Sequence, residues 1–443
     1  MKKVFESIEN IFKIPDLRKK LLFTLFIFFV YRLGGHIPLP GINLKALQSF
    51  FAAQTAGAGG LFALYDLFVG GAFRRATIFA VGIMPYISAS IILQLVGAVV
   101  PYFQRLQKEG EEGRRKITQY TRYGTLIISA LQGWGITVYL ESLQSPMGPV
   151  VINPGFGFKF LAILALTAGG ALIMWLGELI TEKGIGNGMS LLIFIGIVAR
   201  LPDLLLQEIA LFRSGASSIT DELILIVGAL VFIVAGILLT QGTRKIQVQY
   251  ASKVVGRKVY GGQATYLPLK INAAGVIPII FAQSIVTFIP STLMAIAPNS
   301  AFADTMNRVL STTGVFYNVL YAIAIIFFCF FYTAIIFNPV DIAENLQKYG
   351  GYIPGRRPGA QTSEFIDRVL TRITFPGAIG LTLLAILPEF IIPQKAFGYY
   401  LGGTSLLIII GVALDTLSQV ETQLVMRHYE GFLKKGHIRG RRG

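Results

Sequence analysis

Residues 61–94 read LFALYDLFVGGAFRRATIFAVGIMPYISASIILQ, an apolar stretch that is too long for one membrane crossing and is broken midway. The break contains Gly70, Gly71, Arg74 and Arg75. Because a bilayer core of about 30 Å needs roughly 20 apolar residues per helix, the stretch predicts a short half-helix followed by a full span. Irregular backbone at membrane depth is tolerated only where protein or a water-filled cavity covers it. The break therefore indicates a pore or a binding cavity.

Composition places the whole chain in a membrane. The 443 residues are 53% hydrophobic and only 14% charged, whereas roughly 25% of residues are charged in soluble domains. Hydropathy predicts an all-α polytopic protein with ten spans. The predicted spans cover 21–38, 76–99, 118–138, 154–179, 188–206, 222–241, 271–294, 315–337, 373–392 and 404–424.

The lysines and arginines predict the orientation. The two termini and the alternate loops on one side hold 29 of them, whereas the connections on the other side hold six. Since an excess of basic residues marks cytoplasmic loops, both termini are expected in the cytoplasm. Residues 1–20 lack a short apolar core followed by a small-residue cleavage site, so the first span is expected to remain in the mature protein.

The spans divide into two sets of five, which predicts an N-terminal half, 1–206, and a C-terminal half, 207–443. An odd number of spans per half makes the second half start from the opposite side of the membrane, as an inverted repeat requires. This pseudo-symmetry is predicted from the span count alone.

Two long basic loops, 242–270 and 338–372, are expected to be folded rather than extended. The first contains an alternating stretch, 245–250, and then a glycine turn, which together predict a hairpin. The second begins as a helix, and its later glycines and prolines predict a tight turn that displays Arg356 and Arg357. A solvated charge cluster that only sets orientation is one interpretation. A docking surface for RNA or an acidic protein is the other.

Several apolar and polar residues within the spans are candidates for a site. Ile83, Ile87 and Ile91 recur every four residues and are expected on one helix face. Ordinary packing explains that spacing, whereas a dry gating ring would need matching aliphatic residues from other spans. Gln94 and Asn272 are polar residues in or beside spans, where hydrogen bonds between helices are common.

Signatures of an enzyme are missing from the sequence. It contains no HExxH motif and no P-loop, its three histidines are far from metal-ligand spacing, and it has a single cysteine. We therefore expect no catalytic residue, no metal and no cofactor. Without an ATP site, the energy for vectorial work has to come from a partner or an ion gradient.

Eight long motifs, in order along nearly the whole chain, carry a family resemblance. They read GGAFRRATIFAVGIMPYISASIILQL, EGEEGRRKITQYTRYGT, VINPGFGF, MWLGELITEKGIGNGMSLLIF, LPLKINAAGVIPIIFAQSI, FFCFFYTAIIFNP, IPGRRPGAQT and GGTSLLIIIGVALD. These motifs resemble the SecY family, the channel-forming subunits of the bacterial Sec protein translocase.

The resemblance implies an hourglass of ten helices in two pseudo-symmetric halves, closed at its waist. A ring of aliphatic side chains at the waist corresponds to Ile83, Ile87, Ile193, Ile280 and Ile408. A plug that fills the external funnel corresponds to Leu61, Phe62, Leu64, Tyr65, Asp66, Leu67, Phe68, Gly70 and Gly71. A lateral gate toward lipid corresponds to Ser88, Ile91, Gln94, Asn272 and Phe288.

The resemblance also implies partners. The basic loops are expected to bind the ATPase SecA or the ribosome through Arg244, Lys245, Arg257, Lys258, Arg356 and Arg357. Small subunits resembling SecE and SecG would complete a heterotrimer. Secretory preproteins, their signal sequences and membrane lipid would be the other partners, at a bacterial cytoplasmic (inner) membrane.

An ion-coupled secondary transporter is the alternative interpretation, because such proteins also use inverted repeats and broken helices. A transporter is expected to carry ionisable or carbonyl-rich sites near the midplane. The candidate waist of this chain is aliphatic instead. An intramembrane enzyme would need paired catalytic groups at membrane depth, and the spans contain none.

Overall fold

The computed structural model describes residues 14–54, 66, 68–250, 253–255, 258–260, 264–296, 314–391 and 402–435. Most of these residues are helical. The helices are α1 (Pro15–Gly34), α2 (Leu44–Gln54), α3 (Met84–Val99), α4 (Pro101–Lys108), α5 (Glu111–Ser142), α6 (Phe156–Lys183), α7 (Gly188–Val198), α8 (Leu201–Arg213), α9 (Ile219–Gln241), α10 (Ile277–Ile296), α11 (Val315–Ile336), α12 (Pro339–Lys348), α13 (Ala360–Ile391) and α14 (Gly403–Lys435). The strands are β1 (Gln144–Ser145), β2 (Gly148–Pro149), β3 (Thr243–Tyr250), β4 (Lys253–Val255), β5 (Lys258–Tyr260), β6 (Ala264–Lys270) and β7 (Gly351–Tyr352).

Each of the ten predicted spans contains a helix. Among the described residues, six helical segments are long and apolar enough to cross a membrane, and α3 with α4, bent by 99°, makes a seventh candidate. The first, third and seventh predicted spans coincide with α1, α5 and α10. The helices of the described residues are therefore consistent with ten spans, and the all-α polytopic fold is confirmed.

The second span differs from its prediction. Its helix, α3, begins at Met84 rather than at residue 76, and residues 69–83 form turns with one isolated β-bridge, between Thr77 and Pro38. Ala76 has a φ of 43° and Gly82 a φ of 63°, and a right-handed helix does not accommodate positive φ. Pro85 then occupies the first turn of α3, a position that tolerates its missing N–H. The predicted helix over 76–83 is wrong, and Ile83 precedes the helix.

Packing divides the chain into two compact units. Unit 1 consists of Met1–Pro202, Thr287–Arg308 and Val412–Gly443. Unit 2 consists of Asp203–Val286 and Val309–Gly411.

In unit 1, α5 and α6 form the central pair of helices. The helix α3 packs on α5, whereas α1 and α7 pack on α6. Arg122 of α5 and Glu178 of α6 join the central pair by two hydrogen bonds, Nε to Oε1 at 3.0 Å and Nη2 to Oε2 at 2.8 Å. Such a bidentate pair also fixes the relative orientation of the two helices.

Unit 2 carries a small sheet outside the spans, in the order β6-β3-β7. The strands are antiparallel, and β4 pairs with β5 beyond them, which confirms the predicted hairpin. The predicted helix of the second loop is α12, which begins where the Asn338 side chain accepts a hydrogen bond from the N–H of Val340 at 3.1 Å. The core between the sheet and α13 consists of Ile246, Val248, Leu269, Ile353, Ile366 and Leu370.

We expect Leu269→Ala to loosen this sheet. Leu269 is fully buried, and truncating a buried leucine costs about 2–5 kcal/mol through lost burial and the cavity left behind. Limited proteolysis of membranes that carry the variant should cut within 242–270 faster than in the parent. Tyr266→Ala, on the same strand but 61% exposed, is the matched control. Equal cleavage of both variants would contradict the proposed core.

Candidate functional site

The half-helix predicted from the sequence ends at a pair of glycines. Asp66 and Phe68 have helical backbone, and the N–H of Gly71 donates to the carbonyl oxygen of Asp66 at 2.9 Å. Gly70 and Gly71 have φ of 67° and 86°, so this is the usual left-handed ending of a helix. Of the other predicted plug residues, Leu61, Phe62, Leu64, Tyr65 and Leu67 lie outside the described residues.

The turns between Gly70 and α3 are covered by neighbouring helices of unit 1. A Cβ atom added at Gly70 would lie 3.0 Å from Cα of Gly196, so the two backbones are in close contact. The irregular backbone is thus covered by protein, as its predicted depth in a membrane requires. Phe79 stacks on Tyr31 of α1, with 5.8 Å between the ring centroids. Ile78 contacts Gly169 of α6, and Gly70 contacts Gly196 of α7.

At the start of these turns, a buried carboxylate binds two arginines. Asp66 is fully buried, and its Oδ2 lies 2.7 Å from Nη1 of Arg200 and 3.4 Å from Nε of Arg74. The backbone N–H of Arg74 donates to Oδ1 at 3.0 Å. The sequence patterns did not predict this cluster, because Asp66 and Arg200 are far apart along the chain.

The five candidate waist isoleucines are all buried, with at most 5% of each exposed. Ile83, Ile87 and Ile193 belong to unit 1, and Ile280 and Ile408 belong to unit 2. In each unit, a glycine one turn after a waist isoleucine is in close contact with another segment. In unit 1, Gly196 lies one turn beyond Ile193 and contacts Gly70; in unit 2, Gly411 lies one turn beyond Ile408 and contacts Val276.

A short internal repeat, which the span count did not reveal, relates these positions. The strings GIMPYISASI (82–91) and GVIPIIFAQS (275–284) align Ile87 with Ile280, and SLLIFIG (190–196) and SLLIIIG (405–411) align Ile193 with Ile408. The local structures also correspond. The first glycines of the first two strings have φ of 63° and 64°, and a helix begins two residues after each of them.

The predicted gate residues lie on the helix α3, on the turn before α10 and, for Phe288, within α10. Ser88 and Ile91 are buried on α3. Gln94 donates to Oγ of Ser90 at 3.1 Å, and Asn272 donates to the carbonyl oxygen of Gly275 at 2.9 Å. Both hydrogen bonds stay within their own segment. The side chain of Phe288 lies outside the described residues.

Four of the predicted docking residues have described side chains, and these lie on or beside the sheet of unit 2. Arg244 and Lys245 are exposed on β3, and Arg356 and Arg357 are exposed in the turn after β7. The guanidinium of Arg356 lies over the ring of Phe365, 5.3 Å from its centroid, which ties that side chain to α13. Arg257 and the side chain of Lys258 lie outside the described residues.

Comparison with known sequences finds one family. The SecY family model matches residues 77–417. The protein translocase subunit SecY of Thermotoga maritima is 45% identical over 99% of this chain and 100% of its own length. The protein translocase subunit SecY of Escherichia coli K12 is 46% identical over 96% of each chain.

Comparison with solved structures finds the same fold. A protein-conducting channel superposes with a TM-score of 0.63 at 19% identity, covering 92% of this chain and 93% of the other. A SecY structure determined to study the plug domain gives a TM-score of 0.64 at 19% identity, with 92% of both chains covered. Sec61 in the canine ribosome–channel complex gives 0.57 at 18% identity, covering 92% and 93%.

Proposed function

Because this chain belongs to the SecY family, we propose that it is the channel-forming subunit of a protein translocase. It passes unfolded secretory polypeptides across the membrane and releases hydrophobic segments laterally into lipid. The observation that carries this proposal is the identity of 45% with a protein translocase subunit over nearly the full length. The channel fold supports it independently of the sequence match.

The waist of the proposed channel is the aliphatic ring of Ile83, Ile87, Ile193, Ile280 and Ile408. The internal repeat supports this assignment, because its sequence alignment pairs Ile87 with Ile280 and Ile193 with Ile408, as two pseudo-symmetric halves, 1–206 and 207–443, would require. A ring of flexible aliphatic side chains has no fixed charge and excludes ions by dewetting. The same ring can widen around an extended polypeptide.

The plug and the gate complete the proposed channel. In a SecY structure that shares this fold, the plug domain stabilises the closed state and maintains a membrane seal. We assign the same role to residues 61–71 of this chain, on the external side. The lateral gate formed by Ser88, Ile91, Gln94, Asn272 and Phe288 then sorts segments by hydrophobicity, since about 20 apolar residues gain free energy on entering lipid.

The channel does no chemistry of its own in this proposal. SecA or a ribosome binds the basic loops and supplies the driving force, and subunits resembling SecE and SecG complete the complex. The basic loops and both termini face the cytoplasm of a bacterial cell. Similar folds occur in ribosome-bound channels, including Sec61 in the canine ribosome–channel complex.

Reconstitution tests the function directly. Proteoliposomes that contain this chain with its SecE-like and SecG-like subunits should take up a preprotein only when SecA and ATP are added. A stalled preprotein should crosslink to a photoreactive residue placed at Ile87 or Ile408. Uptake of a small solute driven by an ion gradient, without preprotein uptake, would instead support a secondary transporter.

We expect Arg357→Glu to weaken SecA-driven translocation by about ten-fold or more, because reversing a charge at a docking surface converts attraction into repulsion. Arg357 is exposed in the turn after β7, so its loss should not disturb the fold. Preprotein uptake at rising SecA concentration measures the effect, and resting ion conductance should stay at the parental value.

Lys348→Glu is the control for this prediction. Lys348 is an exposed basic residue on the same loop, so its reversal changes the net charge equally. SecA-driven uptake by the Arg357→Glu variant at the level of Lys348→Glu would reject the docking role of Arg357.

A further inference from the structure

The cluster around Asp66 connects two separate elements of unit 1. Asp66 precedes the Gly70–Gly71 turn, whereas Arg200 follows α7. The 2.7 Å contact between Arg200 Nη1 and Asp66 Oδ2 therefore joins the end of the proposed plug to the fifth span. The guanidinium of Arg200 also lies beside Gly71, with its Nε 3.6 Å from a Cβ atom added there.

Burial makes this ion pair sensitive to displacement. The Asp66 side chain is 1% exposed, and the side chains of its partners Arg200 and Arg74 are 16% and 32% exposed. A buried charge that loses its partner is strongly destabilised, because neither water nor an opposite charge compensates it. Displacing Asp66 would also leave two neighbouring arginines without the carboxylate between them.

Arg74 and Arg200 bind Asp66 from different parts of the chain. Arg74 is eight residues from Asp66 in the chain and closes a local loop. Arg200 is 134 residues away and belongs to the wall of the proposed channel. Of these two ion-pair contacts, the one with Arg200 has to break when the Asp66 segment moves away from α7, whereas the one with Arg74 can move with the segment.

We propose that the ion pair between Asp66 and Arg200 is a specificity-determining contact, which sets how strong a signal sequence must be to open the channel. The proposal rests on the proposed translocase function. A ligand shifts a closed–open equilibrium only by its differential affinity for the two states. The more firmly Asp66 is held, the more apolar binding energy the signal sequence must supply, so weak signals are rejected.

A double-mutant cycle tests the proposal in cells that depend on this full-length chain for export. The variants are Asp66→Asn, Arg200→Gln and the pair, and Arg213→Gln, an exposed arginine at the end of α8, is the matched control. The readout is the ratio of export between a preprotein with a weakened signal and the same preprotein with its normal signal. Resting ion conductance of the purified complex is the second readout.

Each single variant should raise the export ratio by about ten-fold, with accumulation in the membrane unchanged. The double variant should raise it no further than the stronger single variant, because both changes remove one contact. Unchanged ratios in the single variants, multiplication of the two effects, or an equal rise in Arg213→Gln would overturn the proposal. A variant that merely misfolds would lose normal-signal export as well, which also counts against it.

Export by the parent protein shows whether a negative result contradicts the ion-pair inference alone or the proposed translocase function as well. If the parent exports a normal preprotein and the variants keep its selectivity, the ion pair is not a specificity contact but the channel function stands. If the parent exports no preprotein with SecA present, the translocase assignment fails and the inference fails with it.

Discussion

Replacing Ile87 with asparagine is expected to raise the resting ion conductance of the channel by about ten-fold or more, because a polar amide wets an aliphatic constriction. The same variant should export preproteins with weakened signals. Single-channel recording of the reconstituted complex measures the first effect, and export in cells measures the second.

A control on the same helix is available for this prediction. Ile92 is 48% exposed, whereas Ile87 is 5% exposed, so Ile92→Asn introduces the same amide on α3 away from the proposed waist. Because the internal repeat aligns Ile280 with Ile87 and Ile408 with Ile193, we expect Ile280→Asn to change conductance as Ile87→Asn does, and Ile408→Asn as Ile193→Asn does. Parental conductance and parental signal selectivity in these variants would rule out the ring.

Gly169→Val is expected to have the largest effect on stability, about 3 kcal/mol or more. A Cβ atom at Gly169 would overlap the carbonyl oxygen of Ile78. Since that oxygen belongs to the backbone, a side-chain rotation cannot relieve the overlap. The helix α6 would have to move away from the turns that lead to Ile83. Thermal unfolding of the purified complex and accumulation in the membrane measure the loss.

Gly157→Val is the matched control, since Gly157 lies in the same helix with no atom within 4 Å of an added Cβ. Both changes introduce the same β-branched residue into α6, so they share the cost in helix propensity. Equal stability of the two variants would mean that α6 does not need the close contact with Ile78.

Hydropathy located helices well because each span has to bury its backbone polar groups in its own hydrogen bonds. It failed over 76–83, where the residues are as apolar as those of a span but the backbone is not helical. The apolar composition of a segment indicates that it lies within the membrane, but it does not determine whether its backbone is helical. The positive φ of Ala76 and Gly82 depends on contacts with other helices, which a hydropathy pattern does not contain.

The candidate site was predictable where it depends on local pattern and was missed where it depends on distant pairing. Ile83 and Ile87 stood out by their spacing, whereas Ile193, Ile280 and Ile408 came only from the family resemblance. The aligned strings at 82–91 and 275–284 were present in the sequence and could have shown part of this relation. No pattern pairs Asp66 with Arg200, because the fold alone brings them together.

The helix α13 runs without interruption from the small sheet into the ninth span. Its residues Ile366 and Leu370 belong to the core beneath the sheet, and Leu381 is buried farther along. With 32 residues, it is a stiff rod about 48 Å long. We therefore expect a displacement of the sheet to move the membrane-spanning part of this helix with it. Pro376 and Pro388 lie inside this helix, and because each lacks the N–H that would close the helix there, we expect any bend of the rod at these two positions.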